Sequence, residues 1–419
     1  MGKNKGKIFF WSIIITSIIL IGGYIILKNF YPTSMYEIKK LIKSNKFNKN
    51  NTISVSSETY SQKFILYEDK QKLQKYFPKQ DISAKTYYNI YGKIVVEGDE
   101  YLDLSNSQID NNLIEKLKPL TQIKKVNLKN QNINKDTQII LQQTYPNIDF
   151  IWQVDVLGKK VDWNIETLDL SNQKIEDIED LKKSLTLLKK LKTLDMSNTN
   201  LSNETLGNLR ELYPNIRIDW VVYLGKWSVR TDAIAFSVLI TQYDYKRMTS
   251  ADIQVLKYCT ELQALDLGHQ AIEDISVIGE YLPNLRILIL ADNKIKDISC
   301  LSNLKHLHYL ELFMNDITDA SALNSCKELV DLNISFNYHF SDINGILELP
   351  MLERLWLISD RISADSYNLI KQTYPNVKLV TTGSGSTNSG WRTHERYFAM
   401  IDMFKKRNYM SEAFSKYDK

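Results

Sequence analysis

Cysteine is scarce in this 419-residue chain: Cys259, Cys300 and Cys326 are the whole supply. An odd number without C-x-x-C spacing implies neither a disulfide framework nor a structural zinc site. Histidine is equally sparse, with His269, His306, His308, His339 and His394. His306 and His308 have chelating spacing but no evident third ligand, so they read as a surface pair. Fifteen glycines and eight prolines exclude collagen-like and proline-rich chains. There is no phosphate loop, dinucleotide glycine pattern, nucleophile elbow or H-E-x-x-H. The sequence thus offers no catalytic residue, no metal site and no cofactor, and an enzymatic reading rests only on carboxylates hidden in acidic clusters. A net charge of +4 over this length gives no nucleic-acid footprint. What is present, 43% apolar and 24% charged residues, suffices for two or three domains or one elongated repeat array.

The charge is uneven. Residues 1–80 hold fourteen lysines against four acidic residues, which leaves residues 81–419 at net −6. Within the basic part, Ile8–Leu27 reads IFFWSIIITSIILIGGYIIL, uncharged and long enough, at about 1.5 Å per residue, to cross a hydrocarbon core of roughly 30 Å. Trp11 and Tyr24 suit the two interfaces. The run lacks an A-x-A-like cleavage site, which favours an uncleaved signal-anchor over a removed signal peptide. Lys3, Lys5 and Lys7 on one side are balanced by Lys28, Lys39, Lys40 and Lys43 on the other. Orientation therefore follows from the short basic head before a single early apolar run, which places about 390 residues outside the cell. Residues 28–63, rich in Lys, Asn and Ser, read as a solvated stalk, or as a basic helix resting on anionic lipid.

The remainder is periodic. Five units share L-x-x-L-x-L-x-x-N-x-I, starting at Leu262, Leu285, Leu307, Leu329 and Leu352, with spacings of 22 or 23 residues. Period-two alternation in each L-x-L marks a short strand. The following Asn can donate and accept, so Asn293, Asn315 and Asn337 form a stacked ladder, with Gln270 and Asp360 at its ends. Asp274 and Asp297 read as turn carboxylates. Earlier in the chain, strand starts at Leu102, Val126, Ile148, Leu168, Leu194 and Ile216 continue a coil spacing of 20 to 26 residues, so the repeats begin near residue 85. Gly92, Gly158 and Gly225 recur, each before Lys, and mark three modules. At the ladder place these early units carry Ser107, Gln131, Gln173 and Thr199. Cys259 and Cys326 sit at equivalent places three coils, roughly 15 Å, apart, too far for a disulfide.

The units from Leu262 to about Ala364 resemble the 22-residue leucine-rich repeats of bacterial internalin-type surface proteins, and the wider likeness spans about 85–380. The resemblance implies an α/β leucine-rich-repeat solenoid with a parallel β-sheet as its concave face, here preceded by one N-terminal transmembrane helix. It also implies binding of a protein or glycan ligand at a surface, without a shared active site. Departures are the irregular early units, a degenerate coil at 234–261, and no cell-wall anchor motif of the family type at the C terminus. The expected layout is a basic tail 1–7, the membrane helix 8–27, the stalk 28–63, an N-terminal cap 64–84, irregular repeats 85–261, regular repeats 262–382, a Gly/Ser linker 383–390 and a helical tail 391–419.

In such a solenoid the residues flanking each inward leucine face the concave side. Ile287, Ile289, Tyr309, Phe313, Phe336, Trp356 and Ile358 then form an apolar patch, with Glu311, Asp331 and Arg354 at its border. The patch reads as the recognition surface, with Tyr309 and Trp356 as anchors. Its alternative is coverage by the chain's own tail. In that tail GSGSTNSG (383–390) is a flexible linker by composition. Trp391, Tyr397, Phe398, Ile401 and Phe404 follow on one helical face, and Met410–Phe414 begin a further turn or helix. The tail either caps the open end of the solenoid or forms a separate binding module. The expected protein is a single-pass, cell-membrane binding protein with its repeats outside. The competing class is a membrane-bound sensor or scaffold on the cytoplasmic side.

Overall fold

The computed structural model describes residues 53–55, 58–60, 64–76, 78, 82, 84–238 and 247–408. These form two compact units, one of residues up to 165 with 177–190, the other of 166–176 with 191 onward. The basic tail 1–7, the expected transmembrane segment Ile8–Leu27, most of the stalk and Met410–Phe414 lie outside the described residues. Among the described residues no helix is long and apolar enough to cross a membrane. Within the segment expected as stalk, Ile53–Val55 and Glu58–Tyr60 pair antiparallel.

In the first unit Phe64–Leu66 pairs parallel with Lys85–Ile90, which turns through Tyr91-Gly92 into antiparallel Lys93–Val96. The repeats therefore begin with Tyr101–Asp103 rather than near residue 85. That strand pairs parallel with Lys125–Asn127, and Lys125–Asn127 with Asp149–Ile151. The chain then departs from coil geometry in an antiparallel hairpin, Gln153–Val156 with Lys159–Asp162. Leu157 and Gly158 form its two-residue turn, both at positive φ, which is why glycine recurs there. Helices Lys135–Thr144 and Ile178–Leu187 are capped by Asn134, accepting from the amide of Thr137, and by Asp177, accepting from those of Glu179 and Asp180.

The second unit opens on three parallel strands, Thr167–Asp169, Thr193–Asp195 and Arg217–Asp219, and a hairpin, Val221–Leu224 with Trp227–Arg230. Its main element is a seven-stranded parallel sheet of Ala235–Ser237, Ala264–Asp266, Ile287–Ile289, Tyr309–Glu311, Asp331–Asn333, Arg354–Trp356 and Lys378–Val380. The register keeps the central leucines in one row, Leu265, Leu288, Leu310, Leu332, Leu355 and Leu379. Coils of 22 or 23 residues leave room for little more than a turn on the outer side, so the connections are short 3-10 segments such as Ser299–Asn303 and Ser321–Ser325. Close stacking there excludes a side chain at position 345, where a Cβ would lie 1.7 Å from the Ala320 carbonyl oxygen.

The asparagine ladder forms as the spacing predicts. Asn315 accepts from the amide of Ile295 and donates to the carbonyls of Leu290 and Leu312, each at 3.0 Å. Asn293 serves Ile272, Leu267 and Leu290 in the same way, and Asn337 serves Ile317, Leu312 and Ile334. At the ends Gln270 accepts from the amide of Met248, and Asp360 accepts from that of Asn337. In the early coils Gln131 donates to Leu104 and Ser105. Thr199 does not play this part: its neighbour Asn200 both accepts from and donates to the backbone of Ile175. Asp274 and Asp297 are turn carboxylates, accepting from the amides of Ser276 and Ser299.

Candidate functional site

On a sheet with one side in water, residues flanking each inward leucine should be exposed. That holds for Tyr101 and Asp103, and for Thr167 and Asp169, which flank Leu102 and Leu168. It fails on five consecutive strands of the large sheet, where Ala264–Asp266, Ile287–Ile289, Tyr309–Glu311, Asp331–Asn333 and Arg354–Trp356 are buried at every position. The covering element is the C-terminal tail. The expected solvent-facing patch is thus corrected: Ile287, Ile289, Tyr309, Glu311, Phe313, Asp331, Arg354, Trp356 and Ile358 are all buried, and Phe336 is half-buried.

The tail reaches the sheet through residues 383–390, which are not a free linker here. Asn333 donates its side-chain amide to the Ser386 carbonyl at 2.9 Å, and the Trp356 indole N–H donates to the Asn388 carbonyl at 2.8 Å. Trp391 then drops fully buried into the face. Its indole N–H donates to Glu311 at 2.6 Å, and its ring centroid lies 5.4 Å from that of Tyr309 and 5.0 Å from that of Trp356. The Arg354 guanidinium lies 4.5 Å from the indole, within cation–π reach, and donates to the Trp391 carbonyl.

His394 caps the helix Glu395–Lys406 by accepting from the amide of Arg396. The helix turns Arg396, Met400, Met403 and Phe404 onto the sheet. Met400, Met403 and Phe404 share one apolar cluster with Ile287, Ile289, Tyr309, Phe313, Trp356 and Ile358. Fully burying such side chains is worth roughly 2 kcal/mol each. Phe398, expected on the buried face, is 60% exposed, and Tyr397 and Ile401 are only partly covered. The aromatic spacing suggested a face rotated from the one the helix uses, because Arg396 follows its carboxylate partners.

Asp331 is the polar centre. Arg354 donates to it through Nε and Nη2, both at 2.8 Å, from the neighbouring strand, and Arg396 does the same from the tail at 2.8 and 2.7 Å. Arg396 also reaches Glu353 at 2.8 Å. Two buried guanidiniums thus share one buried carboxylate, Asp331, with the half-exposed Glu353 as the second acceptor of Arg396 at the rim. Burial raises the Glu311 carboxyl above its ordinary range, opposed by the hydrogen bonds from Tyr309 and Trp391. Burial also raises Asp266 to about 7, although it accepts from Ser237 and from the amide of Gly268. Beside Asp266 the fit of tail to sheet is incomplete: a cavity of about 230 Å³ remains, lined by Ser237, His269, Arg392, Tyr397 and Phe404 among others.

Elsewhere, His306 is exposed while His308 is fully buried, so they are not a surface pair; both face Glu328 at 3.3 Å. Among the described residues no group of three or more His, Cys, Asp or Glu could hold a metal ion. The three cysteines are unbridged.

Residues 283–325 match the family model for leucine-rich repeats, in two copies. Among solved structures the chain is similar to an internalin (inlF) of Listeria monocytogenes, at 20% identity over 64% of this chain and 64% of that one, with a TM-score of 0.33. A Listeria monocytogenes internalin C2 shares 22% identity over 55% of this chain and 87% of that one, at 0.30. A leucine-rich-repeat protein of Leptospira interrogans shares 18% over 63% and 74%, at 0.32. The chain thus spans just under two thirds of the inlF structure. No curated protein matches it.

Proposed function

We propose that this leucine-rich-repeat chain is a membrane-anchored binding protein, held by Ile8–Leu27, that displays its repeats outside the cell and takes a ligand on the concave face of the large sheet. A protein ligand is favoured over a glycan. The observation that carries this reading is that the concave face already grips a length of polypeptide, through both side-chain and backbone groups of residues 386–404. An aromatic and arginine-rich centre is the composition of an interface core rather than of an ordinary solvated sheet. Binding of this kind needs no catalytic group, and the chain acts as a receptor or adhesin rather than as an enzyme.

The test is protease treatment of intact cells, with released peptides identified by mass spectrometry. Peptides from residues 85–408 should appear while cytoplasmic control proteins stay whole. Release only after lysis, with surface controls cleaved beforehand, would place the repeats inside and favour the cytoplasmic scaffold.

A further inference from the structure

We propose that the concave site is a receptor for a peptide presenting an indole and, five residues later in the first turn of a helix, a guanidinium, and that residues 383–406 are its tethered occupant, excluding any outside ligand until the tail lets go. This rests on the protein-binding reading above and gives it a ligand chemistry and a gate.

Part of the binding arrangement is made within the sheet itself. Arg354 holds Asp331 in a two-point ion pair within the sheet, leaving the same carboxylate able to accept a second guanidinium beside Glu353. The Tyr309 hydroxyl donates to Glu311, which fixes the acceptor for the incoming indole N–H. Asn333 and Trp356 supply donors for main-chain carbonyls, partners that any peptide offers. Groups fixed in place before binding lose little freedom when a ligand arrives, which is the condition for tight and selective capture.

The covered strands also differ from those whose flanking positions meet solvent. In the strands Tyr101–Asp103 and Thr167–Asp169 the corresponding positions face solvent and carry polar or singly placed aromatic side chains. The covered strands bring Tyr309, Trp356, Asp331 and Arg354 together under the tail, and the cavity beside Asp266 shows that the tail does not fill the face completely. Tryptophan and arginine, the two residues that anchor the tail, are those most enriched at the energetic centres of protein interfaces. Because the occupant follows directly on the sheet's last strand, Lys378–Val380, it is held at an effective concentration on the order of millimolar or above, so a free peptide at micromolar concentration loses to it. Weakening the tail removes that penalty and raises the apparent affinity for an outside peptide.

The probe is a fluorescein-labelled synthetic peptide of residues 383–408, followed by anisotropy against the full chain and against the full-chain double variant Trp391→Ala/Arg396→Ala. Both substitutions lie in the tail and leave every sheet residue intact. Arg396→Glu alone, which sets a third carboxylate against Asp331 and Glu353, is the second variant should the first fail to fold. Hydrogen exchange reports whether the tail helix has been released. The expected result is binding by the variant at least 100-fold tighter than by the wild type, lost when the peptide itself lacks the indole or the guanidinium. A folded variant with a released tail that ignores the peptide overturns the proposal. So does equal binding by wild type and variant, or a tail helix that stays protected in both variants. Peptide capture with repeats found inside the cell would instead sink only the extracellular reading, since the protease test and this one are independent.

Discussion

Arg396 and Asp331, 65 residues apart in sequence, meet through two hydrogen bonds of 2.8 and 2.7 Å, and the aspartate is shared with Arg354 on the next strand. The two partners are therefore unequal. Asp331→Ala leaves two buried guanidiniums without their shared carboxylate and should cost about 3–5 kcal/mol of global stability in urea unfolding. Arg396→Ala leaves the Arg354–Asp331 pair intact, so its main effect should be faster amide exchange in Glu395–Lys406. Equal losses of global stability in the two variants would contradict this asymmetry.

Asn315 ties two adjacent coils together by accepting from one backbone amide and donating to two carbonyls. Its replacement by Ala orphans the buried amide of Ile295, while the carbonyls of Leu290 and Leu312 keep the side-chain amides of Asn293 and Asn337, at a cost of about 1–3 kcal/mol. Denaturant titration checks this, and a change below about 1 kcal/mol would show that water replaces the amide.

Asp360 stands at the next ladder place, where burial raises its carboxyl to about 8. A carboxyl raised on folding stabilises the protein while protonated, and that contribution is lost as pH climbs through the folded value. Asp360→Asn restores the amide used by Asn293, Asn315 and Asn337. The midpoint of thermal unfolding should rise at pH 7, and rise further at pH 9. A gain that shrinks with pH would refute the assignment.

His394 has its imidazole held below the ordinary range, by burial first and then by Arg354 and Arg396, against the opposing pull of Asp331 and Glu395. The neutral ring is the capping form, since its Nδ1 accepts from the amide of Arg396. The unfolded state then binds the proton more readily. The capping contribution is present above the ordinary imidazole value and is lost as pH falls through the lower folded one. The protection factors of the tail helix, which correct for the intrinsic pH dependence of amide exchange, should therefore fall on acidification below the ordinary imidazole range. His394→Asn, which caps without titrating there, should flatten this dependence.

Much of this arrangement is written in local pattern. The L-x-L triplets set every strand of the large sheet from Ala264 to Trp356, because a single inward leucine per coil fixes the register. The asparagines follow, because only a side chain that donates and accepts can serve three backbone groups at once. The concave composition was legible too: Tyr309, Glu311, Asp331, Arg354 and Trp356 meet at one place. Their cover was not. Trp391 reaches Glu311 across 80 residues and Arg396 reaches Asp331 across 65, and no periodicity links a tail to the strands beneath it. The helix face was misjudged for the same reason, since the aromatic spacing favoured Phe398 while the buried carboxylates select Arg396. The hairpin turns left a signal in the recurring Gly92, Gly158 and Gly225. That signal resembles an ordinary coil turn until the pairing of the flanking strands is known.

The placement of Trp391 against Trp356 has an optical consequence. Two indoles with ring centres 5.0 Å apart and planes inclined at 63° couple their electronic transitions, and this coupling depends steeply on separation. The wild-type protein should therefore carry an exciton signature in circular dichroism that vanishes when the two rings part, giving a label-free spectroscopic record of whether its groove is occupied by its own chain.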